Sequence, residues 1–357
     1  MNNLTAAEYA IKSLPAVLRD RDVFHDKYGR VFVTLGHIQP SDRVLSILKY
    51  IPHSAGKWRK GASCYQRVFW GGVASFVSGL TELPPQYITY DHHFGTRLPE
   101  VPRSEIAFYF SPEDRLKEII DSGPKDILEE RAASLSHELN THLGLPYSRL
   151  GVTGSVLWKA HDPLFSDLNM NVYGLEASWA LQKGYQTLEK ASDSITLRRD
   201  EDWAATAARM LNRSPELTNT DIHRLLERRT GIHLNGHCVG ITPVLLPDEA
   251  PILHGAERYT TLGHEPVTTV VKIIDDRFGL FTPSIYPCTT DSTDPRNGVS
   301  RLIIYEGAFR GLLRSGDVVQ VKGMLQSVVP QDGIREPFTQ VMIGSMNGAG
   351  SEYMRLL

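Results

Sequence analysis

Two short segments hold residues whose types and spacing suit phosphate chemistry. Gly154-Ser155 stands at a predicted helix start, and Ser166-Asp167-Leu168-Asn169 opens a predicted strand that runs to Tyr173. Transfer of a nucleotidyl group needs an oxygen nucleophile, an in-line triphosphate and a pair of divalent metals that clamp the attacking and leaving oxygens. Hard cations of this kind take carboxylate oxygens. Side chains two positions apart on a strand point to the same face, so Asp167 and residue 169 are placed to share one metal pair. A Gly-Ser at a helix start offers free backbone N–H groups and a hydroxyl to the terminal phosphates. The glycine also lets the backbone come close. The candidate catalytic and metal-ligating residues are therefore Asp167 and Asn169, with Mg2+ or Mn2+ as the metal. Gly154, Ser155, Ser166 and Lys159 are the candidates for holding an NTP. Lys159 and His161 lie between the two segments, either facing a triphosphate or standing on the surface.

This Gly-Ser, helix-length gap and Ser-Asp-apolar-x-apolar strand resembles the signature of the polymerase beta superfamily of nucleotidyltransferases, in which Gly-Ser precedes an Asp-x-Asp strand. More closely, the chain resembles a predicted nucleotidyltransferase family found mainly in archaea. The outer segments Val33 to Tyr50, Arg258-Tyr259 with Leu262-Gly263, and Tyr305-Glu306-Gly307 share in that resemblance. It implies an α/β (α+β) nucleotidyltransferase core and metal-dependent transfer of a nucleotidyl group from an NTP to an RNA, protein or small-molecule acceptor. It also implies two further acids, one at position 169 and one on a later strand. The sequence departs at both. Asn169 offers an amide oxygen without the charge, which weakens Mg2+ binding and stabilises phosphoryl transfer less. The best later strand, His237 to Thr242, has Gly240 and no acid. Asp248 and Glu249 follow in a loop, and Glu265, Asp275 and Asp276 are further alternatives. Two explanations stay open. The chain is a degenerate relative, a nucleotide- or nucleic-acid-binding subunit of a larger assembly, or Asn169 is an isosteric replacement in an active enzyme.

Several elements must position these residues. Arg30 to Leu35 reads as a strand, Asp42 to Tyr50 as a short helix or extended turn, and Val101 to Phe110 as another strand. The stretch Lys57-Trp58-Arg59-Lys60, basic with an aromatic, offers contact to phosphate or RNA, but the favoured reading is a solvated loop. Residues 112–143 carry helical spacing, with Ser111 as N-cap, Pro112 at the first position and acids in the first turn. Pro124 restarts that pattern. A strand is expected at 150–153, with helices at about 175–190, 200–212 and 219–230. Residues 238–246 read as a strand interrupted by Pro243. From Val267 the pattern is all-β, with strands at 267–274, 300–305, 317–323 and 338–343 parted by Gly, Pro and Asp clusters. That suits a small OB-like β-barrel. The expected domains are 1–110, a mixed extension; 111–262, the nucleotidyltransferase-like core; and 263–357, the barrel. Arg301, Tyr305, Arg310, Arg314 and Lys322 are candidates for a face that binds single strands.

A chain of 357 residues is long enough for two or three domains. The formal net charge of -3 excludes a global basic field that draws in nucleic acid. No apolar run is long enough to span a membrane, and Met1 to Asp20 lacks the pattern of a signal peptide. Cys64, Cys238 and Cys288 are odd in number and far apart, which fits a cytoplasmic protein without disulfides. Asp91-His92-His93 puts neighbouring histidines on opposite sides of an extended segment, which does not suit a shared ion. His233 and His237 are parted by Asn235-Gly236, which breaks a helix. Ser155 has no Gly-x-Ser-x-Gly elbow, so a hydrolase is not expected.

Overall fold

Short apolar runs broken by Gly, Pro and Asp leave most of the chain in strands. The computed structural model describes residues 14–290 and 298–357. The reading of Met1 to Asp20 falls mostly outside them. The described residues form a mixed α and β structure built mainly from three sheets.

The first sheet holds β1 (Val23–Asp26), β2 (Val31–Thr34), β3 (Arg43–Pro52), β4 (Trp58–Lys60) and β5 (Ser63–Arg67), then, after helix α1 (Gly72–Gly79), β6 (Ile88–Asp91), β7 (Thr96–Pro102) and β8 (Ile106–Phe110). The strand expected at 30–35 is present as β2. The segment from Asp42 to Tyr50 is not a helix or turn but the longest strand of this sheet. Its run Val44-Leu45-Ser46-Ile47-Leu48 is buried on both faces, so no alternation betrays the period. β3 pairs β2 along one edge. Its other edge pairs β7 through Arg43–Leu45 and β5 through Tyr50–Pro52. The loop expected at 57–60 is instead an edge strand, because Trp58 to Lys60 pair with Ser63 to Tyr65. Pro102 and a short 3-10 turn at Arg103–Glu105 split the single strand expected at 101–110 into β7 and β8.

The second unit contains α2 (Pro112–Ser122), α3 (Ile127–Leu143), β9 (Leu150–Val152), α4 (Gly154–Leu157), β10 (Leu168–Tyr173), α5 (Leu175–Ala191), β11 (Ile195–Leu197), α6 (Ala204–Arg213), α7 (Asn219–Leu226), β12 (Ile232–Leu234) and β13 (His237–Val244). Ser111 caps α2, its hydroxyl accepting from the Asp114 N–H at 3.4 Å. Asp126 caps α3, accepting from the N–H groups of Leu128 and Glu129 at 2.8 and 3.1 Å. The sheet order is β11-β12-β13-β10-β9, with β10 and β13 parallel and the other pairs antiparallel. Leu168, Met170, Val172 and Val239 face the helices and form one core with Leu135, Leu139, Leu181 and Leu188. The opposite face carries Asn169, Asn171, Tyr173 and Gly240, as strand alternation requires.

The third sheet holds β14 (Glu257–Thr261), β15 (Val267–Ile273), β16 (Ser284–Thr289), β17 (Val299–Ile304), β18 (Val318–Pro330), β19 (Phe338–Ile343) and β20 (Tyr353–Leu356). The strands β18-β15-β16-β17-β19 close back on β18 as a ring, with β17 and β19 parallel. β18 is long enough to serve two sides of that ring. Its first half pairs β15 and β20, and its second half pairs β19 and β14. Met210, Ile222 and Leu225 of α6 and α7 pack into the core of this ring with Leu302, Val319 and Val341. Those two helices lie within residues 111–262 in the chain but share the barrel's interior.

Candidate functional site

Three segments far apart in sequence converge on Asn169. The parallel register of β10 and β13 sets Asn169 directly against Gly240. A Cβ built on Gly240 would lie 2.4 Å from Asn169 Oδ1, so the carboxamide fills the room of a side chain there. From the other side comes the turn at Gly154, where a Cβ would lie 3.8 Å from Asn169 Nδ2. Thr153 N–H donates to the Asn169 carbonyl at 2.9 Å and ties that turn to the strand. Gly154 has φ 66°, a conformation that glycine takes at no steric cost. Ser155 follows, buried, and its carbonyl accepts from Ala160 N–H at 3.0 Å. The helix expected after Gly154-Ser155 is one turn of four residues, closed by Trp158.

The other predicted site residues have different employment. Asp167 is exposed immediately before β10. The Ser166 hydroxyl accepts from Asp162 N–H at 3.0 Å and closes its own turn. Lys159 has φ 57° and donates to Glu118 at 2.7 Å, which joins α4 to α2. His161 sits 2.7 Å from Asp126. Glu249 is at the far end of β13, accepting from the N–H groups of Leu175 and Leu246 at 2.9 Å each, so it caps α5 and does not fold over Asn169. Asp275 closes a turn on Arg277 N–H at 2.9 Å.

These residues do not fit a pair of divalent metals. Asp167 brings one carboxylate, Asn169 a neutral amide, and position 240 no donor, with no space for one while Asn169 keeps its place. Asp126, Glu129 and His161 form the one cluster of possible metal ligands among the described residues, with ligand atoms within 4.8 Å of one another. Each is already engaged. Asp126 caps α3 and holds His161, and Glu129 is paired with buried Arg115. No family model, curated protein or solved structure matches the chain.

An aromatic group of which the sequence signalled only Trp58 lies next to Asp167. Trp58 of β4 stands 5.2 Å from Tyr50, 6.3 Å from Trp70 and 5.7 Å from Phe165, ring centre to ring centre. Trp70 is 63% exposed and Phe165 44% exposed, so the cluster presents open aromatic surface. The Arg67 guanidinium lies 4.5 Å over the Trp70 ring. Burial pushes the Tyr50 phenol up to about 12, and both Arg67 and Asp167 act on it, which places those two charges around one ring. Lys49, on the neighbouring position of β3, is pushed down to about 7 by burial and then by Arg67 and Arg21. The only sequence signal was Trp58 among basic residues. Its partners lie on β3, after β5 and before β10, and only the folded chain brings them together.

The five residues expected to make a basic face on the barrel do not gather on one surface. Arg301 is buried and forks onto Glu257 at 3.1 and 2.7 Å, with its Nε donating to Gln340 at 2.7 Å. The Tyr305 hydroxyl is buried without a partner. Arg314 donates to the carbonyls of Gly311 and Leu313, Lys322 to Glu216 and Arg310 to Thr282. Of the segment Asp91-His92-His93, Asp91 and His93 are buried and structural, while His92 is exposed. Asp91 accepts from the N–H groups of His93 and Phe94 and lies 2.7 Å from His254. His233 is on β12 and His237 on β13, in separate strands. A cavity of about 300 Å³ lies between β3, α1 and the barrel. It is walled by residues such as Leu45, Ile47, Phe76 and Met324, and Tyr305 lines it, but Gly154, Ser155, Lys159, Ser166, Asp167 and Asn169 do not. Cys64, Cys238 and Cys288 are free, and no helix among the described residues is long and apolar enough to cross a membrane.

Proposed function

We propose that this chain is a non-catalytic relative of the polymerase beta superfamily nucleotidyltransferases that binds a nucleotide as part of a larger assembly. One observation carries the ligand class. Beside Asp167 lies an open platform of Trp58, Trp70 and Phe165, crossed by the Arg67 guanidinium. Unpaired bases stack on such aromatic faces, with about 1–3 kcal/mol per base at stake, and an adjacent guanidinium adds to the attraction. Arg67 supplies positive charge close by for phosphate.

The loss of turnover follows from Asn169 and Gly240. Position 169 has lost its charge, and position 240 has neither a carboxylate nor room for one. With those acids absent, the chain's own part is to stack the base and neutralise phosphate. The Gly154 turn and the β10-β13 register support the superfamily resemblance, since they bring Gly-Ser, the Asp-x-Asn strand and the later strand to one point. The ring order of the barrel, with its long shared strand, supports the OB-like reading.

The test is ATP titration with and without Mg2+, alongside incubation with labelled NTPs and a mixed RNA and protein acceptor pool. The expected result is saturable ATP binding that depends little on Mg2+, drops at least tenfold in Trp70→Ala, and gives no label transfer. Label transfer by the chain as it stands refutes the non-catalytic reading. Label transfer only by Asn169→Asp points to an enzyme silenced at one ligand. Absence of ATP binding overturns the nucleotide reading altogether.

A further inference from the structure

On the other side of the second sheet, away from Asn169, a cleft of about 130 Å³ lies between α5, the end of α7 and the barrel loops. Ile241 and Pro243 of β13 line it, and alternation turns them opposite to Gly240. Three arginines enter it, namely Arg228, Arg229 and Arg310. Arg228 is paired with Asp317. The other two meet only neutral acceptors. Arg229 donates to the carbonyls of Ala308 and Gly307 at 2.7 and 3.3 Å, and Arg310 to the Thr282 hydroxyl at 3.3 Å. Neither forms an ion pair with a carboxylate among the described residues. The acids around them are engaged elsewhere: Glu306 with Arg213 at 3.1 Å and Asp20 with Arg21 at 3.4 Å.

Two half-buried guanidiniums lining one cleft carry a charge of two without a direct ion pair among the described residues, with Glu306 acting on Arg229 and Asp20 on Arg310 only at longer range. Burial pushes both down to about 10, with Arg198 acting next on Arg229 and Arg21 next on Arg310. At that value both remain charged at neutral pH, so the repulsion persists. A guanidinium presents its N–H donors in a planar fork that matches a tetrahedral oxyanion. The rim adds neutral polar groups, since Thr230 donates to Gln182 at 3.3 Å and Tyr185 stands beneath. The volume falls well below the roughly 300 Å³ at which pockets begin to take drug-sized ligands, and a nucleoside would not fit.

We propose that the cleft between Arg229 and Arg310 is a binding site for a compact doubly charged oxyanion of the phosphate type. It is separate from the aromatic platform and does not depend on it. The ion bridges the turn after α7, through Arg229, to the barrel loop that carries Arg310.

The test is titration of the full chain with inorganic phosphate at constant ionic strength in chloride, read by calorimetry and by thermal unfolding. The expected result is a saturable rise in Tm, with the dissociation constant raised at least tenfold in Arg229→Gln and in Arg310→Gln. If either fails to fold, Gln182→Glu at the rim gives the same reading by placing a competing carboxylate there. ATP separates the source of the phosphate. Phosphate binding unchanged in Trp70→Ala, together with lost ATP binding, identifies a free-ion site distinct from the platform. A chain that shows no saturable phosphate effect overturns the proposal, as does an effect that survives all three substitutions.

Discussion

Replacing Arg301 by Met should be among the most damaging single changes in the barrel. Arg301 forks onto Glu257 at 3.1 and 2.7 Å, and Glu257 is 1% exposed. Removing the guanidinium leaves a buried carboxylate with the Tyr259 hydroxyl at 3.0 Å and the half-exposed Arg335 at 3.5 Å. Breaking a buried pair from one side costs about 3–5 kcal/mol. The remaining partners put the expected loss near the lower end, about 3 kcal/mol. The pH dependence gives the argument its sharper form. Burial acts to raise the Glu257 carboxyl, but the Arg301 hydrogen bonds and charge hold it below the usual value of 4.5. In the parent this stabilisation is present above that value and lost as pH falls through the lower folded-state value. In the variant the sign reverses, because the buried carboxylate now binds its proton more tightly than the unfolded chain does. A loss of about 3 kcal/mol corresponds to roughly a hundredfold tighter proton binding. The destabilisation should therefore be largest near pH 8 and shrink toward pH 5. Urea midpoints of parent and variant at both pH values measure it, with unchanged slopes as the control. A loss under about 1 kcal/mol, or one that does not shrink on acidification, would refute the reasoning.

Two further outcomes follow from the buried acids. Burial, and then the hydrogen bond and charge of Asp91, raise the Glu100 carboxyl well above 4.5, so its contribution is full at low pH and is lost as pH rises above that value. Glu100→Gln should flatten this decline, and equal slopes of Tm against pH from 5 to 8 in parent and variant would show that Glu100 does not hold the proton. For Asp126, burial acts to raise the carboxyl, but the Glu129 N–H and His161 keep it below 3.8, so its stabilisation is present above that value and lost on acidification. Asp126→Ala should cost about 1–2 kcal/mol at pH 7 through the lost α3 cap and His161 pairing, with a smaller loss at pH 3. An equal loss at both pH values would remove the carboxylate from the account.

How far the sequence could be read depended on whether a signal was local. α2 announces itself through Ser111 and Pro112, and β10 through its alternation, and both stand close to where the spacing puts them. β3 was missed because a strand buried on both faces has lost its period. No local feature of α6 or α7 says that their apolar faces close the barrel, since an amphipathic helix does not name its partner. At the site, Gly154 and Asn169 were legible as a pair. Their fit against Gly240 required the strand register, and Lys159 was misplaced because its ion pair with Glu118 comes from a helix 41 residues earlier. The aromatic platform was legible only in Trp58, for the same reason, because Trp58, Trp70 and Phe165 come from three separate segments.

The long strand β18 also bears on how the chain is made. It is the shared edge for β14, β15, β19 and β20, yet residues 318–330 follow α6, α7, β14 and β15 in the chain and so are synthesised after them. Until they emerge, β15 cannot close on its partner, and the apolar faces of α6 and α7 have no barrel to cover. Contacts of such long sequence separation form slowly. A nascent chain that stalls before β18 therefore displays unpaired strand edges and two uncovered helices, the kind of surface that chaperones bind and that aggregates. Nonsense or frameshift lesions just before β18 should accordingly be as damaging to yield as lesions much earlier in the chain.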